Sequence, residues 1–97
     1  MIIVKKNDKN ISISGHALYD DMGRDIVCSA VSSIVITTVN GILEIDKDAI
    51  AVDTNKGIEI VIKKSDKVTL ALINNMINLL KELSNQYPKN IKIKEGV

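Results

Sequence analysis

Residues 26–43 form a run of eighteen residues without a charged side chain, and this run constrains the fold more than any other stretch. Its length approaches the roughly 20 residues that a helix needs to cross a bilayer. The run also contains several polar residues and a glycine, which argue against a membrane span. They are Ser29, Ser32, Ser33, Thr37, Thr38, Asn40 and Gly41. A helix buried in a soluble domain is therefore the favoured interpretation, and no membrane contact is expected.

The same run is rich in β-branched residues, which locally favour strands. Length decides for a helix, because an uninterrupted run of about 15 residues exceeds the usual strand. Asp25 precedes the run and is a typical N-cap, since its carboxylate can accept hydrogen bonds from the amides of Val27 or Cys28. Gly41 supplies the expected C-terminal stop. We therefore predict a helix that ends at about Asn40.

Alternating apolar residues predict five strands around this helix. They are residues 1–6, 10–16, 49–54, 58–64 and 90–94. A second helix, capped by Ser65 or Asp66, ends before Pro88. Its apolar stripe from Leu70 to Tyr87 either packs against the sheet and the first helix or forms a dimer interface. The chain is predicted to be one two-layer α+β domain over residues 1–97, in the order ββαββαβ, with both helices over one face of a mainly antiparallel five-stranded sheet.

Composition limits the possible partners. Thirteen basic and twelve acidic residues give a net charge of +1 with no dense basic block, so no phosphate-binding surface is implied. Aromatic residues make up 2% of the chain, which removes the stacking platforms that single-stranded RNA readers use. One Cys and one His cannot by themselves complete a four-ligand zinc site. We expect no direct nucleic-acid binding, no metal, no cofactor and, with a single thiol, a reducing cytoplasmic setting.

The single His and the single Cys lie twelve positions apart, at His16 and Cys28. With Asp25 as N-cap, Cys28 is the third helical residue, where free amides and the helix dipole favour an anion. Strict strand alternation would turn His16 away from the helices, but Gly15 permits a backbone angle that re-aims it. A thiol nucleophile with an imidazole base would carry out acyl transfer, with amides around Cys28 as candidate oxyanion donors.

Each of these residues also has a purely structural interpretation. Cys28 is equally a small buried hydrophobe, and His16 a surface or hydrogen-bonded residue. Asp25 is either a cap alone or a third member of a catalytic set. Ser32, one turn beyond Cys28 on the same helical face, donates either to a thiolate or to a carbonyl of the preceding turn. Residue types alone leave these alternatives open.

Two short motifs together resemble the ribosomal-processing cysteine protease family, called Prp. They are Gly15-His16-Ala17 and, beyond Gly23, the run Asp25-Ile26-Val27-Cys28 with Ser32. Ser29 departs from the pattern, since alanine is commoner after the cysteine. The resemblance implies a homodimeric Cys/His endopeptidase that removes an N-terminal extension from the bacterial large-subunit ribosomal protein L-twenty-seven, cutting beside aromatic residues. It assigns Cys28 as nucleophile and His16 as general base, with Gly15, Asp25 and Ser32 as supporting positions.

The loop between the two motifs suggests one further hypothesis. Its residues Leu18, Tyr19, Asp20, Asp21, Met22 and Gly23 would form a mobile lid over the substrate. The acidic pair would attract the lysine-rich segment typical of a ribosomal tail. The alternatives to a protease are a non-catalytic ribosome-associated binding module and a dimeric scaffold held by the second helix.

Overall fold

In a computed structural model, which describes residues 1–21 and 24–96, two helices lie over one face of a five-stranded sheet. The elements in chain order are β1 (Ile2–Lys6), β2 (Asn10–Ser14), α1 (Ile26–Ile45), β3 (Ile50–Asp53), β4 (Ile58–Ile62), α2 (Lys67–Gln86) and β5 (Ile91–Glu95). The predicted α+β class and the order ββαββαβ are confirmed.

The strands lie in the order β3-β4-β2-β1-β5. Neighbours in the first four strands are antiparallel, whereas β5 runs parallel to β1, with Ile91 opposite Ile2. A parallel neighbour needs a long crossover, and α2 provides it by carrying the chain from β4 to the far edge of the sheet. The sheet is therefore mixed but mainly antiparallel, as predicted.

The core lies between the helices and the sheet face that they cover. Alternate strand residues such as Val4, Ile11 and Ile60 are buried on this face. Each helix adds residues spaced three or four apart. The buried apolar residues of α1 are Val27, Val31, Val35, Val39 and Ile42, and those of α2 are Ile73, Met76, Ile77 and Leu80. α2 contacts both α1 and β5. Its apolar stripe therefore packs against the sheet and the first helix, one of the two interpretations drawn from the sequence.

The predicted end of α1 at Gly41 is wrong, because the helix continues to Ile45 and is capped by Asp46. Glycine within a helix costs roughly 0.5–1 kcal/mol relative to alanine. One more turn buries Ile42 to 1% exposure, and burying such a side chain contributes about 1.5–3 kcal/mol. The tertiary gain therefore exceeds the local cost.

By length and composition alone, α1 is apolar enough to cross a membrane, with a mean hydropathy of 2.0. The core helix of a soluble protein meets the same criterion. In this fold 28% of the apolar window of α1 is buried, and this buried face belongs to the hydrophobic core shared with the sheet and α2.

Candidate active site

The first turn of α1 is organised by Asp25, as predicted for an N-cap. Its Oδ1 accepts hydrogen bonds from the amides of Val27 and Cys28, both at 3.0 Å. Its backbone carbonyl accepts from the amide of Ser29 at 3.1 Å. The amides of Val27, Cys28 and Ser29 are therefore all occupied. The prediction that they are available to an oxyanion is wrong, because the cap already binds them.

The second carboxylate oxygen of Asp25 reaches outside the helix. Oδ2 accepts a hydrogen bond from the amide of Tyr19 at 3.0 Å. The amide of Cys28 is the largest cause that lowers the pKa of the Asp25 carboxyl below its usual value. Burial opposes it as the second-largest effect, and the amide of Tyr19 adds a smaller lowering. Asp25 therefore stays ionised at neutral pH and joins the loop before α1 to the helix itself.

The sulfur of Cys28 is held by a donor from the loop that follows β2. The amide of Ala17 donates to Cys28 Sγ at 3.3 Å, and Ala17 itself is buried. Cys28 packs against the core but is only half-buried. The thiol is therefore not sealed in the interior, and an amide already points at the atom that would carry negative charge.

Cys28 and His16 line the same cavity, whose volume is about 240 Å³. Gly15 and Ser32 also line it, so four of the five residues proposed for catalysis or its support share one surface, while Asp25 acts from the helix cap. The side chain of His16 is exposed. Within the described residues, no hydrogen bond joins its ring to the sulfur, an arrangement common in enzymes without substrate.

Gly15 ends β2 with a φ of +89°, which confirms the unusual backbone angle expected before His16. A Cβ at this position would collide with the backbone carbonyl oxygen of Met1. Glycine is thus required both for the turn and for the close approach of β1.

The loop after His16 is tied to the body at three points. Besides the bond between Tyr19 and Asp25, the Asn90 side chain donates to the Ala17 carbonyl at 2.8 Å. The Tyr19 ring meets Tyr87 edge-on, with centroids 5.3 Å apart. Leu18 lies between these attachments, with a φ of +56° and 78% of its surface exposed.

The acidic pair of this loop, Asp20 and Asp21, is exposed to solvent. The remaining two residues of the lid hypothesis, Met22 and Gly23, lie outside the described residues.

Sequence reasoning missed several contributors to the cavity. Gly57 and Ile58 line it, and a Cβ on Gly57 would collide with the carbonyl oxygen of Ile13. The turn around Gly57 was recognisable from its residues, but its position against the end of β2 depends on the pairing of β2 with β4. Asn90 gave no local signal either.

Within the part of the chain that the structure describes, no group of three or more His, Cys, Asp or Glu side chains is placed to hold a metal ion.

Known proteins resemble this chain in sequence and in fold. The family described as "Cysteine protease Prp" matches residues 1–92. The ribosomal processing cysteine protease Prp of Mycoplasma genitalium is 33% identical over 98% of this chain and 96% of its own length. The crystal structure of an essential ribosomal processing protease Prp from S. aureus, with a covalently linked product peptide, has a TM-score of 0.87 at 23% identity, covering 98% of this chain and 99% of that one. A second S. aureus Prp structure, with a substrate peptide, has a TM-score of 0.80 at 21% identity, covering 98% and 99%. The chain belongs to the Prp family of ribosomal processing cysteine proteases.

Proposed function

We propose that Cys28 and His16 form the catalytic dyad of an endopeptidase that trims a ribosomal protein. One observation carries the proposal. The Cys28 sulfur lies in the first turn of α1, receives the amide of Ala17 at 3.3 Å, and opens with His16 onto one cavity of about 240 Å³. An amide donor and a helix N-terminus both stabilise a thiolate, and the thiolate is the nucleophilic form.

The reaction follows from these two groups. The Cys28 thiolate attacks the peptide carbonyl carbon and forms a carbon–sulfur bond, and the carbon–nitrogen bond breaks as the His16 imidazolium protonates the departing amine. Water, deprotonated by His16, then hydrolyses the thioester and restores the thiol. The covalently linked product peptide in the S. aureus Prp structure supports a covalent route.

The developing oxyanion needs a donor other than the first-turn amides, which Asp25 occupies. The amide of Ala17 already points at the reacting sulfur. We assign it two successive roles. It donates first to the thiolate sulfur and then to the oxyanion, which forms on the carbonyl carbon that the sulfur attacks. Such preorganised donors contribute a factor of about 10²–10³ to the rate.

The proposed substrate is the N-terminal extension of ribosomal protein L-twenty-seven, cut beside aromatic residues. The ribosomal processing activity for which the M. genitalium relative is named and the substrate peptide bound by S. aureus Prp support a ribosomal peptide substrate. The cavity walls include Ile2, Ile13, Val31 and Ile58, and exposed Leu18 lies nearby in sequence. These apolar surfaces suit aromatic side chains next to the cleaved bond.

We further propose that loop residues 18–21 contact the substrate and that Asp20 and Asp21 attract its lysine-rich part. Added salt should then weaken peptide binding, because exposed charges are screened. The double variant Asp20→Asn with Asp21→Asn should show a shallower salt dependence in a titration of labelled peptide. An unchanged salt response in the double variant would contradict this role.

The remaining parts of the proposal concern the protein as a whole: residues 1–97 act as one protease domain, in the cytoplasm, as a homodimer. Sedimentation of the purified chain tests the dimer directly, and a monomer at assay concentration would contradict it.

The decisive experiment incubates the protein with the ribosomal precursor of its own organism and locates any new N-terminus by mass. The wild type should cleave within the N-terminal segment, and Cys28→Ala should bind the peptide without cleaving it. Alkylation gives a second measurement, since an activated thiol is labelled well below the pH at which ordinary thiols react. A Cys28→Ala variant that keeps the cellular function of the wild type would favour a non-catalytic module. Labelling of Cys28 only in unfolded protein would favour it as well.

A further inference from the structure

Asn90 connects three separate parts of the fold. Its side-chain Nδ2 donates to the carbonyl of Ala17 at 2.8 Å, across 73 positions of sequence. Its backbone amide donates to the carbonyl of Tyr87 at 3.0 Å, and its own carbonyl accepts from the amide of Ile2 at 2.8 Å. The half-buried Asn90 is therefore fixed by the end of α2 and the start of β1, and its side chain is directed at the loop after β2.

Ala17, the residue that Asn90 contacts, is held on every side. Its amide points at Cys28 Sγ, its methyl group is 1% exposed within the core, and its carbonyl is bound by Asn90. The next residue, Leu18, has a φ of +56°, so the chain changes direction immediately after Ala17. Within the described residues, the Asn90 side chain is the hydrogen-bond donor to the carbonyl of the peptide group between Ala17 and Leu18.

We infer that Asn90 is a positioning residue of the active site, which aims the amide of Ala17 at the Cys28 sulfur and fixes the backbone that carries His16. The inference rests on the proposed function of Cys28. An uncharged amide suits this role, because it donates to a carbonyl without adding a charge beside the thiolate. Asn90 itself contacts neither substrate nor sulfur, so its effect passes through Ala17.

The test compares Asn90→Ala and Asn90→Asp with the wild type in the full chain. Asn90→Asp keeps the shape but replaces the donor with an acceptor. A misdirected amide stabilises the thiolate less, so the midpoint of the pH profile for alkylation of Cys28 by iodoacetamide should rise by about one pH unit. With the precursor as substrate, kcat should fall about tenfold while KM changes little. The control Asn75→Ala makes the same substitution on the exposed face of α2 and should keep the wild-type profile.

Alkylation midpoints in both Asn90 variants equal to that of the wild type would overturn the inference. Because alkylation needs no peptide substrate, this result is decisive whether or not the wild type cleaves the precursor, and absence of cleavage by the wild type counts against the proposed function alone. If neither variant folds, hydrogen exchange of the wild type provides the test. Protected protons at Asn90 Nδ2 and at the Ala17 amide support the role, whereas exchange of both at the rate of free amides overturns it.

Discussion

The first turns of α1 and α2 have the same type of cap but lie in different surroundings. Both helices have 20 residues and follow an aspartate cap, Asp25 or Asp66. In each, Oδ1 of the cap accepts the amide of the third helical residue, Cys28 at 3.0 Å or Thr69 at 2.9 Å. The second oxygen separates them. Asp66 Oδ2 accepts the Thr69 hydroxyl at 3.1 Å within its own helix, whereas Asp25 Oδ2 accepts the amide of Tyr19 from the preceding loop.

On the proposed function, one local capping motif stabilises α2 and positions a nucleophile in α1. Thr69 is 3% exposed and its hydroxyl is bound to its own cap. Cys28 is half-buried and lines a cavity, and its sulfur accepts the amide of Ala17 from the loop after β2. The two caps bind the amide of the third helical residue in the same way. On the proposed function, the difference in role therefore depends on that third residue and on the loop segment that Asp25 contacts in front of α1.

The largest difference in activity should come from replacing the third residue of each helix, Cys28 or Thr69, with alanine. Cys28→Ala should abolish precursor cleavage, because it removes the nucleophile, and should change stability little. Thr69→Ala should keep activity but lose about 1 kcal/mol of unfolding free energy, because it removes a buried hydroxyl and its hydrogen bond. Cleavage assays and urea unfolding of both variants measure the two effects. Equal losses of activity would show that the two helix starts do not differ in role.

A smaller effect should follow from neutralising the two caps. Asn keeps an oxygen that can cap the helix, so Asp25→Asn and Asp66→Asn should both fold. Only Asp25→Asn should lower kcat, by about tenfold, because the amide of Tyr19 loses its charged acceptor and the loop beside His16 loosens. Steady-state kinetics of both variants check this expectation, and an equal kcat in the two would contradict it.

The two caps should behave alike in acid. The amide of Cys28 lowers the pKa of Asp25, and the amide of Thr69 lowers that of Asp66, both from an ordinary value of 3.8. Groups with a lowered folded-state pKa stabilise the protein above that ordinary value, and the contribution is lost as pH falls through the folded-state pKa. Lys64 lowers the pKa of Asp46 in the same direction.

Urea unfolding at about pH 7 and about pH 3 tests this titration. The gap in stability between the wild type and either cap variant should narrow at the lower pH, because protonation removes the charge that the substitution removes. A stability difference from the wild type that stays constant for Asp25→Asn but narrows for Asp66→Asn would contradict the expectation that the two caps titrate alike.

The smallest effect concerns the far end of α1. Gly41 lies inside the helix with open space around the position of a Cβ. Gly41→Ala should therefore stabilise the protein by about 0.5–1 kcal/mol without changing cleavage. Thermal unfolding measures the gain, and a loss of stability would show that the outer face of α1 is covered, unlike that of α2.

Local chemistry made the start of α1 predictable and its end unpredictable. Asp25 caps its helix through residues two and three positions away, so sequence order contains the information. Gly41 is a stop by the same kind of local reasoning, but burial of Ile42 against distant strands outweighs it. The alternating strands were likewise recognisable, while the parallel pairing of β5 with β1 depends on a crossover through α2.

The site divides in the same way. Gly15, His16, Cys28 and Ser32 were identified from one segment and line one cavity. The contributions of Gly57 and Asn90 depend on contacts between remote parts of the chain, which no spacing within a motif reveals. Asp25 also occupies first-turn amides that were expected to bind an oxyanion beside Cys28. The sequence alone does not show which of the two binds them, because it does not assign hydrogen-bond partners.

The pairing of β5 with β1 places the first and last strands side by side, with Asn90 at their junction. Asn90 follows Ala17 by 73 positions in the chain. During synthesis the loop after β2 therefore gains this hydrogen bond only once the segment that begins β5 has left the ribosome.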